Sequence, residues 1–425
     1  MENSAGGLRL ARGMFWSVAG AVSSRAFALM ASIIVARVLG RSVFGELGII
    51  QSTTNMFMTF ANVGVGLTAT KYVAEFRQKD PERAGRIIAM STVVAVVFGS
   101  VVGLLMIATS PLVARLLAAP HLQIAIAISA LALLFIVIND AQNGTLSGLE
   151  AFKRRSTVQF AGGIASFPIT VLGVYFFGLI GAVGGLIASQ ALLVLLNYRA
   201  IQKEAAAAGV PIRWREVRKE VEVLVRFSFP VLCGSVVYVP AMWLANMIMV
   251  KTPGGYAQMG IFSAADRWRT AILFLPTVLA GVTLPLLASL RGEGDSQKYH
   301  NLLWSNIKLS VLASFAVAAP IALVAPWIMA SYGPGFGEGS WVLVALCTTS
   351  VAFAAYWIVG QALVSRGQVW TMFSLNLGWA VTLLTCEWLL RGHGARGLAL
   401  AYLVADTAQM TAALICANRM RPIDG

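Results

Sequence analysis

The chain has 425 residues, of which 58% are hydrophobic and only 12% charged, and its mean hydropathy is +0.77. A soluble globule could not bury so much apolar surface, and a disordered chain needs the opposite composition. The net charge of +14 does not indicate nucleic acid, because the basic residues lie between apolar runs. At about 35 residues per span and connection, the length allows about twelve membrane-spanning helices, so the sequence predicts an all-α membrane protein.

The predicted spans are runs of about 20 apolar residues. They cover residues 13–36, 43–69, 87–109, 122–148, 156–177, 179–198, 226–250, 257–289, 306–331, 341–363, 370–390 and 396–418. Because the longest connection follows the sixth run, we predict an N-terminal six-helix lobe over 1–198 and a C-terminal six-helix lobe over 226–425 around a central cavity. The linker between them, 199–225, fits either an amphipathic helix on the inner membrane surface or an ordinary solvated connection.

The basic residues predict the orientation of the chain. Most Lys and Arg residues lie in the two terminal segments and in the connections that follow even-numbered spans. Cytoplasmic connections carry this excess, so both termini of this multi-pass protein are predicted to be cytoplasmic.

The two halves also resemble each other locally. Phe44–Ile49 opens the second predicted span, and the similar segment Tyr256–Ile261 opens the eighth. An even number of spans per half gives both copies the same orientation. Parallel repeats of this kind are typical of transporters, in which the substrate path lies between the halves.

Three arginines fall inside predicted spans, where charge is costly and asks for a reason. Arg267 and Arg269 lie in span 8 with Asp266, which can pair with Arg269 three residues away. Span 8 then retains one positive charge, and Arg25 in span 1 adds a second. Guanidinium groups bind phosphate oxygens bidentately, so we predict a diphosphate site at Arg25, Arg267 and Arg269. A structural role in helix packing is the alternative.

Uncharged polar side chains recur on one face of two spans, at helical spacing. They are Gln51, Asn55, Thr59 and Asn62 in span 2, and Tyr238 and Asn246 in span 7. Such groups suit a cavity that recognises sugars, and they also suit interhelical hydrogen bonds.

Four acidic residues inside spans are candidates for coupling transport to H⁺ or Na⁺. They are Asp266, Asp140, Asp406 and Glu46. Each could equally be a structural partner, and Glu387 is expected to lie at the membrane interface. No cofactor and no metal site is expected from the sequence.

Several segments resemble a known family. Gly13–Trp16, Ala36–Gly40, Val43–Gly45, Leu146–Leu149 and Gly260–Ala265 are similar to lipid-linked polysaccharide (O-antigen-type) flippases of the multidrug/oligosaccharidyl-lipid/polysaccharide exporter superfamily. The resemblance implies transport of undecaprenyl-diphosphate-linked oligosaccharide across the bacterial cytoplasmic membrane by ion-coupled alternating access, for surface polysaccharides such as lipopolysaccharide. It implies a cationic cavity lined by spans 1, 2, 7 and 8. The expected partners are membrane lipids and the polysaccharide polymerase and chain-length machinery, not nucleic acid.

Two other functions remain open. A cation-coupled multidrug exporter of the same superfamily would need an apolar or acidic cavity, which the buried arginines disfavour. A membrane glycan polymerase or ligase would need a sizeable external loop with catalytic residues, and the predicted external connections are short. The chain is therefore not expected to be an enzyme, and the absence of a P-loop argues against direct use of ATP.

Overall fold

A computed structural model describes residues 2–62, 64–214, 236–274, 276–277 and 296–419, without the side chains of 2–23 and 296. In these ranges all regular structure is helical. The helices are α1 Glu2–Ala61, α2 Val65–Phe76, α3 Pro81–Leu116, α4 Gln123–Gly148, α5 Phe152–Ala207, α6 Tyr238–Val250, α7 Gly255–Ile272, α8 Ser296–Leu323, α9 Ala325–Ser331, α10 Ser340–Ser365, α11 Val369–Leu390 and α12 Gly394–Arg419.

Two of these helices each contain two predicted spans, which are joined at a glycine rather than by a loop. The backbone of α1 breaks at Gly40, with φ 74° and ψ 171°. The backbone of α5 breaks at Gly178, with φ 56° and ψ −131°. Glycine reaches positive φ without steric cost, so spans 1 and 2, and spans 5 and 6, can follow each other directly.

The helices have the length and surface of a membrane protein. Among the described residues, 7 helical stretches are long and apolar enough to cross a membrane. Two of them, Phe152–Ala207 and Val369–Arg419, hold two predicted spans each, and Ser24–Ala61 holds parts of the first two. Large apolar side chains cover the outside, including Leu104 at 65% exposure and Trp370 at 81%. Such a surface needs lipid around it, and the prediction of an all-α membrane protein is confirmed.

The chain forms two compact units, each with its own core. The first unit comprises the chain up to Val38 and the N-terminal half from Ile50 onward. In it α2 crosses α4 so closely that a Cβ on Gly144 would overlap the carbonyl oxygen of Gly66. Asp80 caps α3 by accepting a 2.9 Å hydrogen bond from the backbone N–H of Arg83. These contacts fix α2, α3 and α4 around one apolar core.

The second unit comprises Leu39–Ile49 and the C-terminal half of the chain. Leu39–Ile49 packs on α7, where a Cβ on Gly45 would overlap the carbonyl oxygen of Tyr256. A Cβ on Gly260 would likewise overlap the carbonyl oxygen of Arg41. Small residues allow this approach of two helix backbones, so the two similar segments found in the sequence lie against each other.

Two segments of the structure differ from the predicted lobes and linker. Leu39–Ile49 lies in the second unit, although the predicted N-terminal lobe, 1–198, includes it. The predicted linker, 199–225, starts as a continuation of α5 to Ala207 and is not helical at Pro211–Trp214. Residues 215–225 lie outside the described part of the chain, so the amphipathic helix there stays a prediction, as do the bounds of the lobes.

Candidate functional site

The strongest polar cluster of the second unit is built around Arg269 on α7. Its side chain is only 4% exposed. Its Nη2 lies 3.2 Å from Oδ2 of Asp406 on α12, and its Nε donates a 3.2 Å hydrogen bond to the hydroxyl of Thr349 on α10. Its Nη1 lies 3.7 Å from Oδ1 of Asp266, the partner predicted from the sequence. Arg269 therefore ties α7 to α10 and α12.

Asp406 is held by a second partner as well. The indole Nε1 of Trp379 on α11 donates a 2.6 Å hydrogen bond to its Oδ1. The ring of Tyr238, predicted to line a cavity, stacks on Trp379 with centroids 4.1 Å apart. Asp406 is 1% exposed and both its oxygens are engaged, so it acts here as the counterion of Arg269.

Arg267 lies on another face of α7 and is half-buried. Its guanidinium carbon is 5.8 Å from the centre of the Phe44 ring, a cation–π distance. Phe44 in turn contacts Tyr332 and Phe336, with ring centroids 6.3 and 6.1 Å apart. The two arginines of α7 thus have different surroundings: Arg269 is among acids, and Arg267 is beside aromatic rings.

The charge balance differs from the sequence-based expectation. Span 8 alone retains one positive charge, but folding brings Asp406 to Arg269 across 137 residues. With Asp266 and Asp406 present, the charges of Arg267 and Arg269 are matched by two carboxylates. The prediction of a net positive charge on this cluster was wrong, because its second acid comes from a distant helix.

Arg25 lies in the other unit, on α1, and is half-buried. The predicted polar stripe of the same helix is not uniform. Gln51 is half-buried, Asn55 is exposed, and Thr59 is buried with its hydroxyl donating 3.1 Å to the carbonyl oxygen of Asn55. Thr59 thus bonds its own helix, and Asn55 is the member of the stripe that is open to the surroundings.

Asn62 and Asp140 belong to a local network of the first unit. The Asp140 carboxylate lies close to Gly66 on α2, where a Cβ would meet its Oδ2 at 2.7 Å, and the Asn62 side chain and Arg155 are among its electrostatic neighbours. Arg155 also donates 2.8 Å to the hydroxyl of Ser147. Arg155 was expected only as a basic residue of a connection, and its pairing gives Asp140 a structural partner.

The remaining predicted residues are Asn246 and Glu46. Asn246 is buried on α6, and Glu46 is half-buried in the segment that packs on α7. The structure does not bring either of them into the Arg269 cluster through a described hydrogen bond. Their proposed roles in lining the cavity and in ion coupling stay predictions.

Two buried polar groups have surroundings that the sequence did not predict. Asn139 on α4 donates 2.8 Å to Oε1 of Gln190 and accepts 3.1 Å from Nδ2 of Asn197, so α4 and α5 are joined by amides. Glu387 on α11, which was expected only to lie at the membrane interface, is 0% exposed. Helical spacing could have predicted the burial of Glu387. Leu383 lies one helical turn before it, so Glu387 shares a helix face with a large apolar side chain.

Comparison with protein families gives a match over most of the chain. A family model described as "Polysaccharide biosynthesis protein" matches residues 10–291. Two relatives bear the name "EPS I polysaccharide export inner membrane protein EpsE". The one from Ralstonia solanacearum is 28% identical over 198 residues, covering 44% of each chain. The one from Ralstonia nicotianae is 25% identical over 230 residues, covering 50% of this chain and 51% of its own. The chain thus spans about half the length of the curated relatives it matches.

Solved structures share the fold. The inward-facing conformation of a multidrug resistance MATE family transporter of the MOP superfamily matches with a TM-score of 0.79. The match covers 93% of this chain and 94% of that one at 17% identity. At this identity the likeness concerns the fold alone.

Proposed function

Because the chain belongs to the polysaccharide biosynthesis protein family, we propose that it is a flippase for a polyprenyl-diphosphate-linked oligosaccharide, specifically an undecaprenyl-linked one. It moves this lipid across the bacterial cytoplasmic membrane by alternating access and delivers it to the polymerase that builds a surface polysaccharide. The printed names of its EpsE relatives, polysaccharide export proteins of the inner membrane, support this proposal.

The observation that carries the proposal is the presence of arginines within spans of both units. Arg25 lies on α1 of the first unit and Arg267 on α7 of the second. Keeping an arginine at the centre of a membrane helix costs about 2.5–3.5 kcal/mol. A diphosphate offers several oxygens to a guanidinium fork, so the lipid head is a ligand that suits the chemistry of these two arginines.

The contacts of Arg269 support a positioning role for it rather than a contact with the diphosphate. It is 4% exposed and faces Asp406 and Thr349 at 3.2 Å each. A phosphate would have to displace these partners to reach it. We therefore assign the direct contacts with the diphosphate to Arg25 and Arg267. Arg269 holds α7 in place, and thereby orients Arg267 two residues away.

A multidrug exporter is the rival function, because the fold is that of MATE transporters. A cationic drug would be repelled by Arg25 and Arg267 and attracted by carboxylates. In the second unit both acids of the cluster, Asp266 and Asp406, lie within ion-pair distance of Arg269. This arrangement engages both acids with Arg269, so they attract a cationic drug less than unpaired carboxylates would.

The test is restoration of surface polysaccharide in a bacterial strain that lacks its own flippase. The wild-type chain should restore the polymer, and Arg25→Ala and Arg267→Ala should not. Arg25→Lys should restore only part, because an ammonium group lacks the bidentate fork. Arg154→Ala, which removes an exposed arginine 3.1 Å from Glu204, is the matched control and should behave as wild type.

Membrane levels of every variant are measured in parallel. Full polysaccharide production by well-expressed Arg25→Ala and Arg267→Ala would refute the assigned contacts. Failure of the wild-type chain to restore polymer in any donor strain, together with resistance to cationic drugs, would favour the exporter instead.

A further inference from the structure

Glu387 on α11 is buried without a partner. Its side chain is 0% exposed. Both carboxyl oxygens, Oε1 and Oε2, lack a hydrogen-bond partner among the described residues. The other buried acid of the second unit, Asp406, has Arg269 and Trp379. Glu387 therefore differs from Asp406, whose carboxylate has two partners.

The residue ends a buried stripe along α11. Asn376, Trp379, Leu383 and Glu387 follow at steps of three, four and four residues and are all buried. The first two are satisfied: Asn376 accepts 2.5 Å from the hydroxyl of Tyr356, and Trp379 donates to Asp406. The stripe therefore runs from a hydrogen-bonded inner part to an unsatisfied carboxyl group near the end of the helix.

The surroundings of Glu387 follow from the register of α11 and α12. Gln409 donates 3.1 Å to Oδ1 of Asn376, and a Cβ on Gly397 would overlap the carbonyl oxygen of Leu390. This antiparallel register places Glu387 opposite the buried, mostly apolar stretch Leu398–Tyr402. An apolar neighbourhood explains why the carboxyl group has no partner there.

The charged and titratable groups on the neighbouring elements include the buried hydroxyl of Tyr402, which also has no hydrogen-bond partner among the described residues. The neighbours of α11 are α6, α10, α12 and the single 3₁₀ turn Arg391–His393. Their groups are Tyr238, Lys251 after α6, Cys347, Tyr356, Arg391, His393, Arg396, Tyr402, Asp406, Cys416 and Arg419. None of these forms a described hydrogen bond or ion pair with Glu387. Lys251, His393 and Arg396 are exposed, and Arg391 lies over the ring of Trp388 at 4.2 Å.

A carboxylate in such a place would lose its hydration without compensation, which costs several kcal/mol, whereas the neutral acid does not carry this cost. A metal cation such as Na⁺ needs several oxygen ligands, and the described surroundings of Glu387 offer it no cluster of acids or histidines. The proton is therefore the one cation that this single carboxyl group can bind alone.

We propose that Glu387 is the proton-binding site of the transport cycle. The inference rests on the proposed function and names the ion that drives it. The carboxyl group is protonated in this conformation. It takes up this proton from water when α11 and α12 separate at the end that is predicted to be external. It releases the proton to the opposite side of the membrane after the change of conformation, so that each cycle carries one proton across.

The position of Glu387 provides the route for the proton. The residue lies three positions before Leu390, the end of α11, which is about 4.5 Å along the helix axis. The turn that follows contains Gly392 and Gly394 and leads directly into α12. A small opening at this end, predicted to be external, would bring water to the carboxyl group.

The first experiment observes the proton directly and does not depend on transport. Infrared spectra of the full chain in lipid are recorded at several pH values, with and without Glu387→Gln. The C=O stretch of a protonated carboxyl group should be present at neutral pH in the wild type and absent in Glu387→Gln. Glu75→Gln, which alters an exposed acid, is the matched control and should leave this band unchanged.

The second experiment measures translocation of a polyprenyl-diphosphate oligosaccharide in proteoliposomes, with and without an imposed pH gradient. The gradient should accelerate the wild type and Glu75→Gln but give no acceleration in Glu387→Gln or in the apolar variant Glu387→Leu. Thermal melting of both variants is compared with the wild type, and Glu387→Leu should be at least as stable, because it removes an unsatisfied polar group.

The outcomes separate the two proposals. A missing infrared band in the wild type, or gradient-driven acceleration that survives in a folded Glu387→Gln or Glu387→Leu variant, overturns the assignment of Glu387. A wild type that shows the band but moves no lipid-linked glycan overturns the proposed function while supporting Glu387 as a proton site. Both positive results together support the coupled mechanism.

Discussion

The Arg269–Asp406 pair makes a quantitative prediction about stability. Asp406→Ala removes a carboxylate that is 1% exposed and leaves Arg269, itself 4% exposed, without its closest acid. Removing one partner of a buried ion pair costs about 3–5 kcal/mol, because the other charge remains buried. Trp379 also loses the acceptor of its 2.6 Å hydrogen bond. We expect the free energy of unfolding to fall by about 3–5 kcal/mol in this variant.

A double variant shows whether the loss of stability comes from the missing ion pair or from the unpaired charge that stays buried. Arg269→Met combined with Asp406→Leu replaces both charges by apolar side chains of similar size. Such a replacement of a whole buried pair is often neutral. The remaining loss should be about 1–3 kcal/mol, from the unsatisfied indole N–H of Trp379. The double variant should thus be more stable than Asp406→Ala, although it carries more substitutions.

The assay is an SDS titration in mixed micelles, followed by tryptophan fluorescence. Glu204→Ala is the control, since it breaks the 3.1 Å pair with Arg154, whose side chain is 45% exposed. Exposed pairs contribute about 0–1 kcal/mol. A loss in Asp406→Ala no greater than in Glu204→Ala would refute the structural role of the pair. Asp406 would then return to the candidates for ion coupling.

Three further predictions concern packing, the first unit and topology. Gly45→Val should lower the melting temperature in detergent and reduce transport, because its side chain would overlap the carbonyl oxygen of Tyr256. The control Gly184→Ala should leave both unchanged, because a Cβ there meets nothing within 4 Å. Asp140→Asn should lower the melting temperature but keep the acceleration by a pH gradient, since its carboxylate packs against Gly66 and interacts electrostatically with Arg155; loss of that acceleration would contradict this role. A reporter fused after Gly425 should be active on the cytoplasmic side, and activity only outside would contradict the predicted orientation.

Hydropathy was sufficient to predict the helices. Most of the predicted runs correspond to helices where the chain is described, because a span must satisfy its backbone hydrogen bonds internally. Two runs cross a helix boundary: 43–69 covers the end of α1 and the start of α2, and 306–331 covers parts of α8 and α9. The pairing of Asp266 with Arg269 was also predictable, since residues three apart share a helix face. Both features depend on local sequence alone.

The features that were not predicted depend on contacts between distant helices. Asp406 is 137 residues from Arg269, and no local pattern indicates that α12 lies against α7. Glu387 was expected only at the membrane interface. Hydropathy indicates the depth of a residue in the membrane but not whether its side chain faces lipid or the protein interior. Leu39–Ile49 packs with the second unit because Gly45 and Gly260 allow close approach, which only the three-dimensional arrangement reveals.

The most direct test of the proposed function is reconstitution of the purified chain with a single lipid-linked oligosaccharide. Proteoliposomes carry polyprenyl-diphosphate oligosaccharide in the inner leaflet, and a membrane-impermeant glycosidase outside measures how much glycan reaches the outer leaflet. The wild type should move the glycan, Arg267→Ala should not, and Arg154→Ala should equal the wild type. Equal translocation by the wild type and Arg267→Ala, or none by the wild type while a cationic drug is transported, would contradict a flippase that binds the diphosphate through its buried arginines.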